Sequence, residues 1–230
     1  MKNYTHILFD IDDTIFDFPS AEKAALESVF QYLHLDLTPA IHQTYTAFNR
    51  KLWDQIDKGQ LTRDQMQARR FSTFFKKEFN LDIKDNNKLL QIYQNGMATS
   101  HIFNLHAKDT IEKLHQQGFH LAIISNGIYR VQKKRLTEGG VIEDFDHLFV
   151  SEKMGVMKPT KKFFAYIFQK TDYSPNNSIV IGDDLKADIS GAKVSHLDSI
   201  WYNRHHEMNI SNIHPNFVID DLAAIPSLLA

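Results

Sequence analysis

His6-Ile7-Leu8-Phe9-Asp10-Ile11-Asp12-Asp13-Thr14 runs from apolar residues directly into two carboxylates, Asp10 and Asp12, two positions apart. A near-continuous apolar run fits a strand buried on both faces, the kind that fills a parallel sheet with helices on either side. Ligands of such sheets gather beyond the carboxyl ends of the strands. Asp10 stands at that end, and a carboxylate held beside a divalent cation stays ionised and can attack phosphorus. Asp12 is then placed to carry the proton.

Working outward from this stretch, the pattern changes to helix until about residue 104. The spacing predicts helices over residues 22–30, 39–56, 62–79 and 86–99, broken at 57–60 and 80–82. Ser20 and Thr62 read as N-caps. Phe71, Phe74, Phe75 and Phe79 form a stripe that packs a helical core. From about residue 105, helix and strand alternate: a helix over 107–117 stopped by Gly118, a strand over 119–124, a helix over 128–138 ending at Gly139-Gly140, and a strand over 147–150. A helix over 161–170, a strand over 178–181, and elements over 188–194, 199–202 and 217–219 complete the series. This βαβ repetition predicts an α/β fold with a doubly wound parallel sheet. The first strand belongs to that sheet, so residues 1–18 and 105–230 form one core, interrupted by a helical insertion over 19–104.

The composition fits this reading. At 230 residues the chain can bury a full core, and 43% hydrophobic with 23% charged residues is ordinary for a globular protein. A formal net charge of -2 provides no field for a nucleic acid polymer. The absence of cysteine excludes disulfides and thiolate chemistry. The chain begins without a basic segment and apolar signal core and holds no long apolar run, so a cytoplasmic protein away from the membrane is expected.

Three further groups follow strand ends. Ser125-Asn126-Gly127 presents a hydroxyl and backbone N–H groups at a helix start, suited to phosphate oxygens; as an isolated triplet it is also a common turn. Lys158, in Gly155-Val156-Met157-Lys158-Pro159, can neutralise a phosphate and Asp10. Gly182-Asp183-Asp184 and Asp188 supply the hard oxygens that Mg2+ prefers, with Asp10, Asp183 and a carbonyl of Asp12 as a sufficient set. Asp184 and Asp188 can each orient metal-bound water, and Asp188 has the alternative of capping a helix.

Taken in order, Asp10, Asp12 and Thr14, then Ser125, then Lys158, then Asp183 with Asp184 and Asp188 resemble the four motifs of the haloacid dehalogenase (HAD) superfamily over nearly the whole chain. The resemblance implies a Rossmann-like core with residues 19–104 as an inserted helical cap, Mg2+ dependence, Asp10 as nucleophile and Asp12 as general acid then base. It implies that Ser125 and Lys158 hold the phosphoryl group, with Thr14, Asn126 and Gly127 beside the substrate. Dehalogenases of the superfamily lack an acid at the position of Asp12; its presence points to a phosphatase, since an alkoxide leaving group needs a proton. Phe9 to Phe18, and Trp201-Tyr202-Asn203 with His205-His206, resemble the bacterial nucleoside 5'-monophosphate phosphatases of the noncanonical pyrimidine nucleotidase group.

A small phosphorylated metabolite, a nucleoside monophosphate, is thus the expected partner. A sugar phosphate or phosphoglycolate phosphatase, a 2-haloacid dehalogenase and a non-catalytic binding module are the alternatives. Phe16 and Phe18 either stack on a base or pack the junction. Arg130 lies near the expected phosphate, whereas Arg50, Arg69 and Arg70 either reach a nucleotide or form solvated faces. Asp13 reads as a turn residue and His205-His206 as a surface loop.

Overall fold

The computed structural model describes residues 2–229. His6–Phe9 forms β1, with all four side chains buried. The other strands are β2 (His120–Ser125), β3 (His147–Val150), β4 (Ser178–Gly182), β5 (Asp198–Tyr202) and β6 (Phe217–Ile219). They make one parallel sheet in the order β3-β2-β1-β4-β5-β6. Connections from β1 run first toward β2 and β3, and later ones toward β5 and β6. The direction therefore reverses between β1 and β4, where an open α/β sheet gathers its ligands.

Both faces of the sheet are apolar, so the strand sequences alternate between two cores rather than between core and water. Ile7, Phe9, Leu121, Ile123, Ile179 and Ile181 enter one core, whereas Leu8, Ala122, Ile124 and Val180 enter the other. Ile111 and Leu114 of α5 (Ala107–Gln116) and Leu136 of α6 (Tyr129–Gly139) fill the first. Phe163, Phe164 and Ile167 of α8 (Lys161–Lys170) fill the second, with Ala192 of α9 (Ser190–Val194). The short α7 (Ser151–Met154) and α10 (Ile225–Leu228) are additions that periodicity over so few residues does not announce.

The chain divides into this sheet unit, which ends at Pro19 and resumes at His101, and a second compact unit, Ser20–Ser100. The second unit is built from most of α1 (Phe18–Tyr32) with α2 (Pro39–Asp57), α3 (Arg63–Phe79) and α4 (Asn86–Thr99). Thr62 caps α3 in a reciprocal capping box with Gln65. Ser20 is not a cap, because α1 already begins at Phe18. The stripe of Phe71, Phe74 and Phe75 is buried inside the unit, against Tyr45 and Phe30. The junction over residues 101–104 belongs to the sheet unit rather than to the insertion. Asn104 donates to the carbonyls of Asp13 and Thr14, and Phe103 packs on Phe16.

Candidate active site

The ladder between β1 and β4 continues one residue past β1, where the Asp10 N–H donates to Ile181 O. This sets Asp10 beside the end of β4, whose next residue is Asp183. Lys158 arrives after β3 and is anchored by Asn126. The Asn126 side chain accepts from Lys158 N at 2.9 Å and donates to Lys158 O at 3.0 Å, at a cis Lys158-Pro159 bond. The Lys158 ammonium is 2% exposed and donates to Asp10 Oδ1 at 2.6 Å, Asp188 Oδ1 at 2.7 Å and Ile124 O at 2.9 Å. An ammonium has three protons. All three are engaged, so Lys158 as it stands aligns two carboxylates rather than reaching outward.

Asp188 lies in a wide helical turn, Leu185–Ile189, and is 1% exposed. Its approach requires Gly182, since a Cβ there would lie 2.2 Å from Asp188 Oδ2. Asp184 does not join the cluster. Its carboxylate caps the same turn, accepting from Lys186 N and Ala187 N, whereas of the two residues expected near a metal only Asp188 has its carboxylate in the cluster. Thr14, expected beside the substrate, is fully buried. It exchanges hydrogen bonds with Asp183, donating to Oδ1 and accepting from the backbone N–H, and so orients that carboxylate. Trp201 Nε1 holds the Asp183 carbonyl from β5 at 2.7 Å.

Carboxylate oxygens of Asp10, Asp183 and Asp188 lie within 4.8 Å of one another. Burial, and then the charges of Asp188 and Asp12, push Asp10 up to about 8 against the pull of Lys158. Burial and the neighbouring Asp10 and Asp188 likewise raise Asp183 well above the usual carboxylate range. Burial works against the Lys158 ammonium, but Asp10 and Asp188 outweigh it and hold the group protonated. Hard oxygens crowded at such a distance, with one ammonium against three carboxyl groups, form a donor set that fits Mg2+. The carbonyl of Asp12 remains a candidate fourth donor. Its side chain is held elsewhere.

Asp12 Oδ1 accepts from Arg135 Nη1 at 2.5 Å and Asp12 Oδ2 from Gln132 Nε2 at 2.6 Å, both on α6. Arg130, expected near the phosphate, is exposed, whereas Arg135, which the motifs do not mark, is fully buried over the Phe16 ring at 4.8 Å. The missed signal is helical spacing: Val131 and Leu136 mark the inward face, and Gln132 and Arg135 lie on it. Phe16, offered as a base contact, is fully buried between Arg135 and Phe103, and no base can reach it. Gly127 N does not wait for a phosphate oxygen, because it donates to Ser125 Oγ.

Asp13 is likewise more than a solvated turn. It adopts a left-handed conformation, φ 66°, and pairs with Arg204, whose other nitrogen donates to Asn104. Arg70 is buried against the Tyr93 ring and Met66 inside the helical unit, whereas Arg50 and Arg69 are exposed. His205 and His206 lie on an exposed loop, as expected.

Residues 7–202 match the family of haloacid dehalogenase-like hydrolases. The chain belongs to that family. Among its relatives is the HAD-hydrolase YfnB of Bacillus subtilis, 36% identical over all of this chain and 97% of that protein. The crystal structure of YfnB bound to magnesium superposes with a TM-score of 0.93, covering 99% of both chains. The pyrimidine 5'-nucleotidase PynA of Streptococcus pneumoniae is 31% identical over 94% of this chain and 91% of its own. The pyrimidine 5'-nucleotidase YjjG of Escherichia coli is 30% identical over 97% and 96%. Among the described residues no helix is long and apolar enough to cross a membrane. The molecule is therefore a HAD-like hydrolase with a Rossmann-like α/β core.

Proposed function

We propose that this HAD-like hydrolase is a Mg2+-dependent phosphomonoesterase that works through an aspartyl-phosphate on Asp10, with a nucleoside 5'-monophosphate as substrate. The observation that carries the reading is the pair of carboxylates on one loop with opposite surroundings. Asp10 is buried against Lys158, and Asp12 is held two residues on by Arg135 and Gln132. Environments that separate two carboxylates in this way assign them separate tasks.

Asp10, Asp183 and Asp188, with the Asp12 carbonyl, would hold the cation. When bound, it supplies positive charge that offsets the carboxylates and the substrate phosphate. Lys158 aligns Asp10 and Asp188. The Asp10 carboxylate oxygen attacks phosphorus, the bond from phosphorus to the ester oxygen breaks, and Asp12 delivers its proton to the departing alkoxide. Water then attacks the aspartyl-phosphate, Asp12 takes the proton from that water, and inorganic phosphate leaves with Asp10 restored.

Ser125 Oγ already accepts from Gly127 N and Gln132 Nε2, so both acceptor positions are used and its own proton is directed to a phosphoryl oxygen. Asn126 and Gly127 support this arrangement through Lys158 and Ser125 rather than by touching the ester. Residues 20–100 are the helical unit for which a cap role is proposed.

The nucleotide half of the proposal is supported by the two pyrimidine 5'-nucleotidases, each matched over nine-tenths or more of this chain. The test is hydrolysis of a panel of nucleoside 5'-monophosphates, sugar phosphates and phosphoglycolate with Mg2+, with EDTA and with Asp10→Asn. Activity greatest on nucleotides, abolished by EDTA and reduced by at least about 10³-fold in the variant, is the expected result. Preference for a sugar phosphate would overturn the substrate class. Activity that survives EDTA or the variant would overturn the mechanism.

A further inference from the structure

The proton-carrying carboxylate and the phosphate-facing hydroxyl share one support. Gln132 Nε2 donates both to Asp12 Oδ2 at 2.6 Å and to Ser125 Oγ at 3.1 Å. A primary amide has two N–H bonds, so it can make both contacts at once. Arg135 Nη1 reaches Gln132 Oε1 at 3.1 Å as well as Asp12 Oδ1. That contact settles which end of the amide faces the site: oxygen toward the guanidinium, nitrogen toward Asp12 and Ser125.

Burial makes this arrangement informative. Arg135 is completely enclosed, its guanidinium lying over Phe16, whereas the Asp12 side chain is 29% exposed. A buried guanidinium is costly to maintain and a partly exposed carboxylate does not need one for solubility. Gly127 must be a glycine for the amide to fit, because a Cβ there would lie 2.4 Å from Gln132 Nε2. The three elements involved are the loop after β1, the end of β2 and one face of α6.

We infer that Arg135, acting directly on Asp12 and through Gln132 on Ser125, is a positioning residue that sets the Asp12 carboxyl and the Ser125 hydroxyl in a common frame for proton delivery to the leaving group. The inference rests on the phosphomonoesterase reading above. Neither residue touches the ester. Their contribution is confined to holding the proton carrier where the bridging oxygen departs, so it scales with how badly that oxygen needs a proton. An activated aryl ester leaves without help, whereas a poor leaving group depends on the acid.

The experiment measures kcat/KM on a series of substituted phenyl phosphates, from p-nitrophenyl phosphate to phenyl phosphate, with Mg2+. This parameter stops at the first irreversible step and so excludes the later work of Asp12 on water. The proteins are wild type, Arg135→Lys, Gln132→Leu and Asp12→Asn, each checked by circular dichroism and thermal melting. Lys keeps the charge but not the planar fork, and Gln132→Leu removes the amide while leaving Arg135 paired with Asp12.

The expected result is a ratio of p-nitrophenyl to phenyl kcat/KM that rises about 10- to 100-fold in Arg135→Lys and Gln132→Leu, in the direction of Asp12→Asn. Folded variants that lose activity equally across the series would overturn the inference, since that is the behaviour of a merely structural pair. An Asp12→Asn protein with an unchanged ratio, or a wild type inactive on every ester, would instead overturn the phosphomonoesterase reading and the inference with it.

Discussion

Gly182 is where one added methyl group meets the site most directly. A Cβ there would fall 2.2 Å from Asp188 Oδ2 and 2.6 Å from Asp188 Cβ, so the whole side chain must move. Asp188 is one of the two carboxylates on Lys158, and an ammonium deprived of one partner pulls differently on the other. Gly182→Ala is expected to lose about 1–3 kcal/mol in urea denaturation, the cost of overpacking a close-packed site. Its Mg2+ affinity should fall alongside, read by calorimetric titration. Unchanged stability together with unchanged affinity would mean that Asp188 has room the geometry denies it. The residue scale also shows what a sequence can and cannot say about a site. Asp10, Ser125 and Asp183 are legible because each stands at the end of an apolar run, where a chemically distinctive side chain has few other reasons to be present; Lys158, separated from β3 by α7, is legible only from its place in the ordered set. Thr14 and Asp184 also stand near strand ends, but their side chains are engaged in hydrogen bonds. Thr14 is tied to Asp183 and Asp184 to a helix start.

At the scale of elements, each strand is legible from three or four consecutive apolar residues, and the parallel order from their alternation with helices. α6 was harder. Its inward face carries Gln132 and Arg135 among Val131, Leu136 and Gly139, and two polar residues blur the stripe that marks a buried face. Buried polar groups on such a face are where function overrides packing. The opposite end of the central strand, away from Asp10, carries a titratable group. His6 of β1 is 5% exposed, stacked on His120 with ring centroids 5.0 Å apart, tilted on Tyr173 at 4.3 Å and 3.4 Å from Asp172. Burial foremost, and His120 with it, lowers its pKa, while Asp172 and Asp146 oppose the shift. The unfolded chain then binds the proton more tightly than the folded one, so stability falls as pH drops through the ordinary histidine value of about 6.5. His6→Phe keeps a ring in the stack and removes the titration. Its melting temperature should decline less than that of wild type between about pH 7.5 and pH 5.5. Parallel declines in the two proteins would show that His6 gains its proton without penalty.

For the whole molecule, the carboxylate cluster couples cation, proton and stability. Asp10 is pushed up to about 8 and Asp183 is raised well above its ordinary value, so in the absence of a cation the folded state holds protons that the unfolded chain releases at lower pH. Stability from these groups therefore falls as pH rises from about 4 toward 8, as the carboxylates ionise against one another. A cation reverses that trend, since it binds the ionised cluster and must compete with protons for it. Magnesium at a hundredfold excess over its dissociation constant contributes about 2.7 kcal/mol, which in a chain of this size is roughly 5–10 °C in melting temperature. The gain should be largest near pH 8 and shrink steadily toward pH 5.5. Taking the difference between melts with and without Mg2+ at each pH cancels the opposite contribution of His6, because that residue lies at the far end of β1 and is unaffected by the cation. Asp183→Asn should lose most of the Mg2+ gain, and its cation-free protein should be no less stable than wild type at pH 8, because one of the mutually repelling charges has been removed. A gain independent of pH would mean that the cation binds away from Asp10 and Asp183. A variant that keeps the full gain would remove Asp183 from the metal site.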